Sequence, residues 1–195
     1  MLPQNIIFIT ILVSLTGCYS YIKEIFAGRT KPNLVSWFFW GLAPIIGGFL
    51  QLKAGATLTT IPVFLSGFIS VAVIITSFIR RNGYWKISIF DIYCGFFALI
   101  SLILWLITKD TNISILFAII ADIFASIPTV KKAWKFPDTE SIGGYMPGIV
   151  NHSINLFILT EWTFSFYSFS VYMILNCALV ISLIYRKRIL KLFKS

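Results

Sequence analysis

Long apolar runs alternate with short polar breaks along the whole of this chain. A bilayer's hydrocarbon core is about 30 Å thick, so a helix needs roughly 20 mostly apolar residues to cross it. Seven runs of that order are readable, at 5–22, 34–52, 57–79, 87–108, 112–130, 142–160 and 164–185. The breaks carry turn-forming and charged residues: Gly28 to Asn33, Lys53-Ala54-Gly55, Arg80 to Gly83, Lys109 to Asn112, Lys131 to Ser141, and Glu161 to Phe166. The pattern predicts an all-α integral membrane protein of seven transmembrane helices.

Composition agrees with the pattern. Hydrophobic residues make up 58% of the 195, charged ones only 12%, and the mean hydropathy is +0.89. Soluble domains average about a quarter charged residues, and seven spans leave no room for a soluble domain of typical size. The first run lacks a basic flank, and Gly17-Cys18-Tyr19-Ser20 makes a poor cleavage site, so it reads as a retained helix rather than a signal peptide. Cys18, Cys94 and Cys177 fall inside apolar runs without metal or disulfide spacing, and they read as packing residues.

The net charge of +9 would raise the question of nucleic acid in a soluble protein. Placement argues against it. Lys23, Arg29, Lys31, Arg80, Arg81, Lys86, Lys131, Lys132, Lys135, Arg186, Lys187, Arg188, Lys191 and Lys194 all fall on one side of the seven-span layout, 14 of the 16 basic residues; only Lys53 and Lys109 fall on the other. Cytoplasmic loops are rich in Lys and Arg, which predicts the N-terminus outside and a cytoplasmic C-terminal tail facing anionic headgroups.

A shift of about 107 positions lays the first three spans on the last three. Arg80-Arg81 then falls near Arg186-Lys187, and the turn ending at Asn33 falls near Asp138 to Glu140. Residues 1–81 form one three-helix repeat, 82–110 a linker helix, and 111–195 a second repeat with the basic tail. Many transporters are built from such repeats, with the solute site at the midplane between halves.

Ile127-Pro128-Thr129-Val130-Lys131-Lys132-Ala133-Trp134, followed by Asp138-Thr139-Glu140-Ser141, resembles the PQ-loop segment of the PQ-loop and SWEET-like superfamily. Tyr21 to Trp40, with Lys31-Pro32-Asn33 and Ser36-Trp37 in the turn, looks like its first-repeat counterpart. Neither repeat has the Pro-Gln pair: Tyr21 stands at the first position, and Thr129 follows Pro128. The 3+1+3 layout extends the resemblance over essentially the whole chain, and it is nearest to small bacterial seven-helix members. It implies a carrier in a bacterial cytoplasmic membrane. It also implies that Asn176, in the seventh span, faces the solute, although the position matched in the third span, near Ser70, is not asparagine.

Several polar residues sit at bilayer depth, where they are expensive and usually face a bundle interior or wet cavity. Asp122 is the candidate proton-coupling or solute-binding carboxylate. Asn151 and Asn155, four apart, share a helix face, while His152 points about 100° away; all three are candidate solute contacts. Trp37 and Trp40 read first as interfacial anchors and second as a stacking wall for a solute. Trp134 and Tyr145 bracket the other turn in the same way. Pro44, Pro62, Pro128 and Pro147 read as interior prolines that kink their helices, and Pro44, Pro128 and Pro147 as hinges. Asp91 reads as a helix N-terminal charge or a partner of Lys86.

No catalytic triad, phosphate-binding loop or metal spacing occurs, so neither an enzyme nor a cofactor is expected. The expected function is a carrier of a small polar solute such as a sugar or amino acid, working by alternating access, with proton coupling through Asp122 as an option. Its partners would be that solute and the lipid bilayer, and a homo-oligomer is compatible. A receptor or sorting protein, or an accessory membrane subunit, of the same architecture is the alternative.

Overall fold

The computed structural model describes residues 6–53, 60–81, 84–159 and 161–192, the last six as backbone. Ala54-Gly55, Asn82-Gly83, Lys194 and the side chains of Lys187, Arg188 and Lys191 lie outside the described residues. Every described element is helical. The seven α-helices are α1 (Ile6–Phe26), α2 (Leu34–Lys53), α3 (Thr60–Ile79), α4 (Ile89–Ile107), α5 (Thr111–Lys135), α6 (Met146–Ile158) and α7 (Phe164–Leu192). Two single 3-10 turns, Pro137–Thr139 and Ile142–Gly144, separate α5 from α6.

Six of these helices are long and apolar enough to cross a membrane. Their outer faces carry large apolar side chains such as Phe8, Leu12, Phe68, Ile92 and Phe96, each more than half exposed. Apolar surface on this scale is not tolerated in water; the chain is built for a lipid environment. The exception among the predicted spans is the sixth. Residues 142–160 were expected to cross as one helix, but only Met146–Ile158 is α-helical. At about 1.5 Å per residue that is roughly 20 Å. Pro147 lies in the first turn of α6, where its missing N–H is no loss, and the Gly143-Gly144 turn precedes it. Pro147 therefore does not interrupt a helix, contrary to expectation, and Pro62 likewise lies in the first turn of α3. Pro44 and Pro128 are inside α2 and α5.

Local chemistry sets the helix ends. Asn33 Oδ1 accepts from the backbone N–H groups of Val35 and Ser36 at 3.0 and 3.4 Å, capping α2. Ser88 and Asp91 form a reciprocal capping box at α4, which accounts for Asp91 as a helix-terminal group. Asp110 caps α5 through the Ile113 N–H, and Gly28, at φ +75°, ends α1 in the left-handed conformation glycine favours.

Two helices, α3 and α7, each bridge a pair of others. α3 lies against both α1 and α2, α7 lies against both α5 and α6, and α4 lies against α5 and α2. Across the middle, α1 meets α6 and α2 meets α5. The ends of α1, α3 and α5 and the starts of α2, α4 and α6 converge: Arg80 donates to the Phe26 carbonyl at 2.9 Å, the Trp85 N–H to Pro32 at 2.8 Å, and the Lys31 N–H to Thr139 at 3.0 Å. Arg186 of α7 stacks over Trp134 at 4.2 Å. Lys31, Arg80, Lys132 and Arg186 thus meet at one end of the bundle, which we term the basic end. The buried apolar cluster of Tyr21, Ile25, Trp37, Val73, Tyr145, Val180 and Leu183 is centred there too.

Small residues let the helices approach, as in other membrane bundles. A Cβ on Gly17 of α1 would stand 2.1 Å from Pro147 Cγ and 2.7 Å from the Gly143 carbonyl. Neither a proline ring nor a backbone carbonyl can swing aside, so Gly17→Val should destabilise the fold by about 3 kcal/mol, the upper end for overpacking. Gly47 provides the contrast, since its Cβ would meet only Trp105 at 3.7 Å. Gly47→Ala should stay within about 1 kcal/mol of wild type. Thermal unfolding of both variants in detergent checks the pair, and equal midpoints would contradict this packing.

Candidate functional site

Between the packed basic end and the opposite end of the bundle lies a cavity of about 790 Å³. Its lining comes from all seven helices. In α1 the contributors Thr10, Ser14, Cys18 and Tyr21 follow helical spacing, and in α7 Phe166, Phe169, Ser170, Met173, Asn176 and Cys177 do the same. The cavity extends from Tyr21, Trp37 and Tyr145 at its floor to the level of Ile6, Gln51, Ile158 and Phe166, away from the basic end.

Asp122, Asn151, His152, Asn155, Asn176, Trp37 and Trp40 all border this one cavity. Asp122 accepts a hydrogen bond from the Tyr172 hydroxyl at 2.7 Å. The Trp40 indole N–H is turned toward the same carboxylate but falls outside hydrogen-bond geometry and has no other partner. Asn176 makes no hydrogen bond among the described residues, and Ser70, the position matched to it by the repeat, borders the same cavity and bonds back to the Ser66 carbonyl at 3.1 Å.

The polar stripe of α6 divides differently from the expectation. Asn151 Nδ2 donates to Ser14 of α1 at 2.8 Å, leaving its buried Oδ1 without a partner. Asn155 Nδ2 donates to Ser170 of α7 at 2.8 Å, and His152 Nδ1 meets the same hydroxyl at 3.1 Å. Asn155 lies about 40° from Asn151 and about 60° from His152 around the helix, so either pairing is sterically open. The neighbouring helices α1 and α7 decide it.

The tryptophans are not interfacial anchors. Trp37 is only 4% exposed, and both indoles turn inward. They join Tyr21 and Tyr145 in a continuous aromatic floor: Tyr21–Trp37 centroids lie 5.0 Å apart, Trp37–Trp40 5.4 Å and Trp40–Tyr145 6.2 Å. Trp134 is exposed and holds Arg186 instead.

Beneath the floor is a buried ion pair. Lys132, one of the basic residues that the seven-span layout puts on one side, has a side chain only 1% exposed and pairs with Glu140, which is 0% exposed. Tyr21 and Tyr145 each donate to Glu140 Oε2 at 2.9 Å. The ammonium also donates to the Lys31 carbonyl and, at 3.4 Å, to that of Thr139. Above it, Thr129 donates to Ser36 at 2.8 Å, tying α5 to α2. The Pro137–Thr139 turn folds Glu140 back onto the last turn of α5, a proximity that a linear count of loop charges does not reveal. The cavity's other unanticipated members, Ser14, Trp105 and Ser170, carried a readable signal only as polar or aromatic positions on a helical period.

Among the described residues no group of three or more His, Cys, Asp or Glu is placed to hold a metal ion. No family model matches the chain, and neither a curated protein nor a solved structure matches it.

Proposed function

We propose that this chain is a membrane carrier that moves a small polar solute by alternating access between two three-helix halves, 1–81 and 111–195, joined by the linker helix 82–110. The observation that carries the proposal is the cavity itself: polar side chains from both halves converge on one space inside a bundle whose outside is apolar. Such residues at bilayer depth mark solute and ion pathways. The pairing of α1 with α6 and of α2 with α5 supports a repeat, because a 1-to-5, 2-to-6 correspondence exchanges the two contacts. The resemblance of residues 127–141 to a PQ-loop segment points the same way.

In the proposed orientation the basic end faces the cytoplasm. The cavity then reaches toward the outside, and the aromatic floor with the Lys132–Glu140 pair closes it on the cytoplasmic side. Passage to the inward state parts α1 and α2 from α5 and α6 at that floor, with Pro44 and Pro128 as the interior weak points available for bending. Asn151, His152, Asn155 and Asn176 contact the solute, and Asp122 carries the coupling proton.

Uptake of a labelled panel of sugars, amino acids and vitamins into proteoliposomes tests the reading. Wild type should accumulate at least one of them. Asn176→Trp, which fills the cavity and breaks no hydrogen bond among the described residues, should abolish that uptake while the protein stays folded. Absence of uptake alongside measurable binding would favour a receptor of the same architecture.

A further inference from the structure

Resting on that carrier reading, we infer that the cavity selects an organic cation, held by Asp122 and by the aromatic faces of its floor. Charge is the first reason. Among the described residues that line the cavity, Asp122 is the only carboxylate, and none is lysine or arginine. The nearest buried ammonium, Lys132, lies below the floor and is neutralised by Glu140. A carboxylate or phosphate on the solute would place a second negative charge in this space with no fixed cation to receive it, at a cost that grows in a low-dielectric interior.

The walls are the second reason. Tyr21, Trp37, Trp40 and Tyr145 form one connected aromatic surface at the closed end. Aromatic faces attract ammonium groups, most strongly when water is excluded. Asp122 borders the same space, with Trp40 turned toward it. A cation seated there meets both the carboxylate and the rings. The unpartnered Oδ1 of Asn151 and the amide of Asn176, which also borders the cavity, are placed to meet neutral polar groups on the same molecule. A proton and a cation exclude each other at one carboxylate, which is the condition for exchanging one against the other. His152, the lining side chain with an ionisable imidazole ring, is engaged with Ser170.

The test compares choline and benzyltrimethylammonium with 3,3-dimethylbutan-1-ol, the neutral isostere of choline, and with phosphocholine. Binding is read from thermal stabilisation of the purified protein, and transport from uptake into proteoliposomes with the interior negative. Both cations should bind, the alcohol and phosphocholine at least about tenfold more weakly. Asp122→Asn, which keeps an acceptor for Tyr172, should remove the preference, whereas Glu24→Gln, which removes a carboxylate outside the cavity, should retain it. Equal binding of the alcohol, or no binding of either cation at tens of millimolar, overturns the inference. Uptake of a neutral sugar that neither cation inhibits also overturns it, yet leaves the carrier reading standing. Cation binding without uptake of any solute does the reverse.

Discussion

Lys132→Met should destabilise the protein by about 3–5 kcal/mol, the usual cost of removing one partner from a buried ion pair. The substitution strands the Glu140 carboxylate, whose side chain is 0% exposed, with only the Tyr21 and Tyr145 hydroxyls for company. It also leaves the Lys31 and Thr139 carbonyls without their ammonium donor. At this chain length the loss corresponds to a fall of roughly 10 °C in the unfolding midpoint. Adding Glu140→Gln should recover at least half of it. The glutamine carries no charge, keeps an acceptor for both tyrosines, and brings an amide donor toward the vacated carbonyls. Size-exclusion or light-scattering melts in detergent read both values. A single variant as stable as wild type would show that the two side chains are not held as ions, and a double variant worse than the single would show that the charges are not the source of the effect.

Asp122→Asn should abolish the part of solute uptake that responds to an inward proton gradient, a loss of about tenfold or more relative to wild type. Position 122 offers the one carboxylate among the described lining residues, and an amide neither binds nor releases a proton near neutral pH. Fold should be little changed, because the Tyr172 hydroxyl, 2.7 Å from Asp122 Oδ2, still finds a carbonyl oxygen in asparagine. Uptake is to be measured with and without the gradient, and after collapsing it with a protonophore. Persistence of the full gradient response in the variant would remove Asp122 from the coupling role and leave it as a structural acceptor joining α5 to α7.

Much of the bundle was legible because hydrocarbon imposes a one-dimensional rule. A helix in lipid satisfies its own backbone and needs only length and apolarity, so α1 to α5 and α7 appear as runs of letters. The bias of Lys and Arg was legible for the same reason, and Lys31, Arg80, Lys132 and Arg186 do lie at one end of the bundle. Cost also made the site visible, since Asp122, Asn151, His152, Asn155 and Asn176 stand out against an apolar background, and all border the cavity. The sixth span was misjudged because its apolar run continues through Gly143-Gly144 into Pro147, where backbone conformation rather than hydropathy sets the start of the helix.

Sequence alone thus determined the class of the molecule, the number of its helices and the identity of its costly polar residues, because each of these depends on a segment's own composition. Tertiary structure alone decided what those residues meet. Only when α1 packs on α6 does Asn151 find Ser14, and only when α7 packs beside it do His152 and Asn155 share Ser170. Lys132 is half of a buried pair because a 3-10 turn returns Glu140 to α5. Trp37 and Trp40 became a floor rather than an anchor because their helix faces the interior at that depth. Direction and partnership belong to the packed arrangement, since neighbours across a bundle are set by distances that no spacing along one chain encodes.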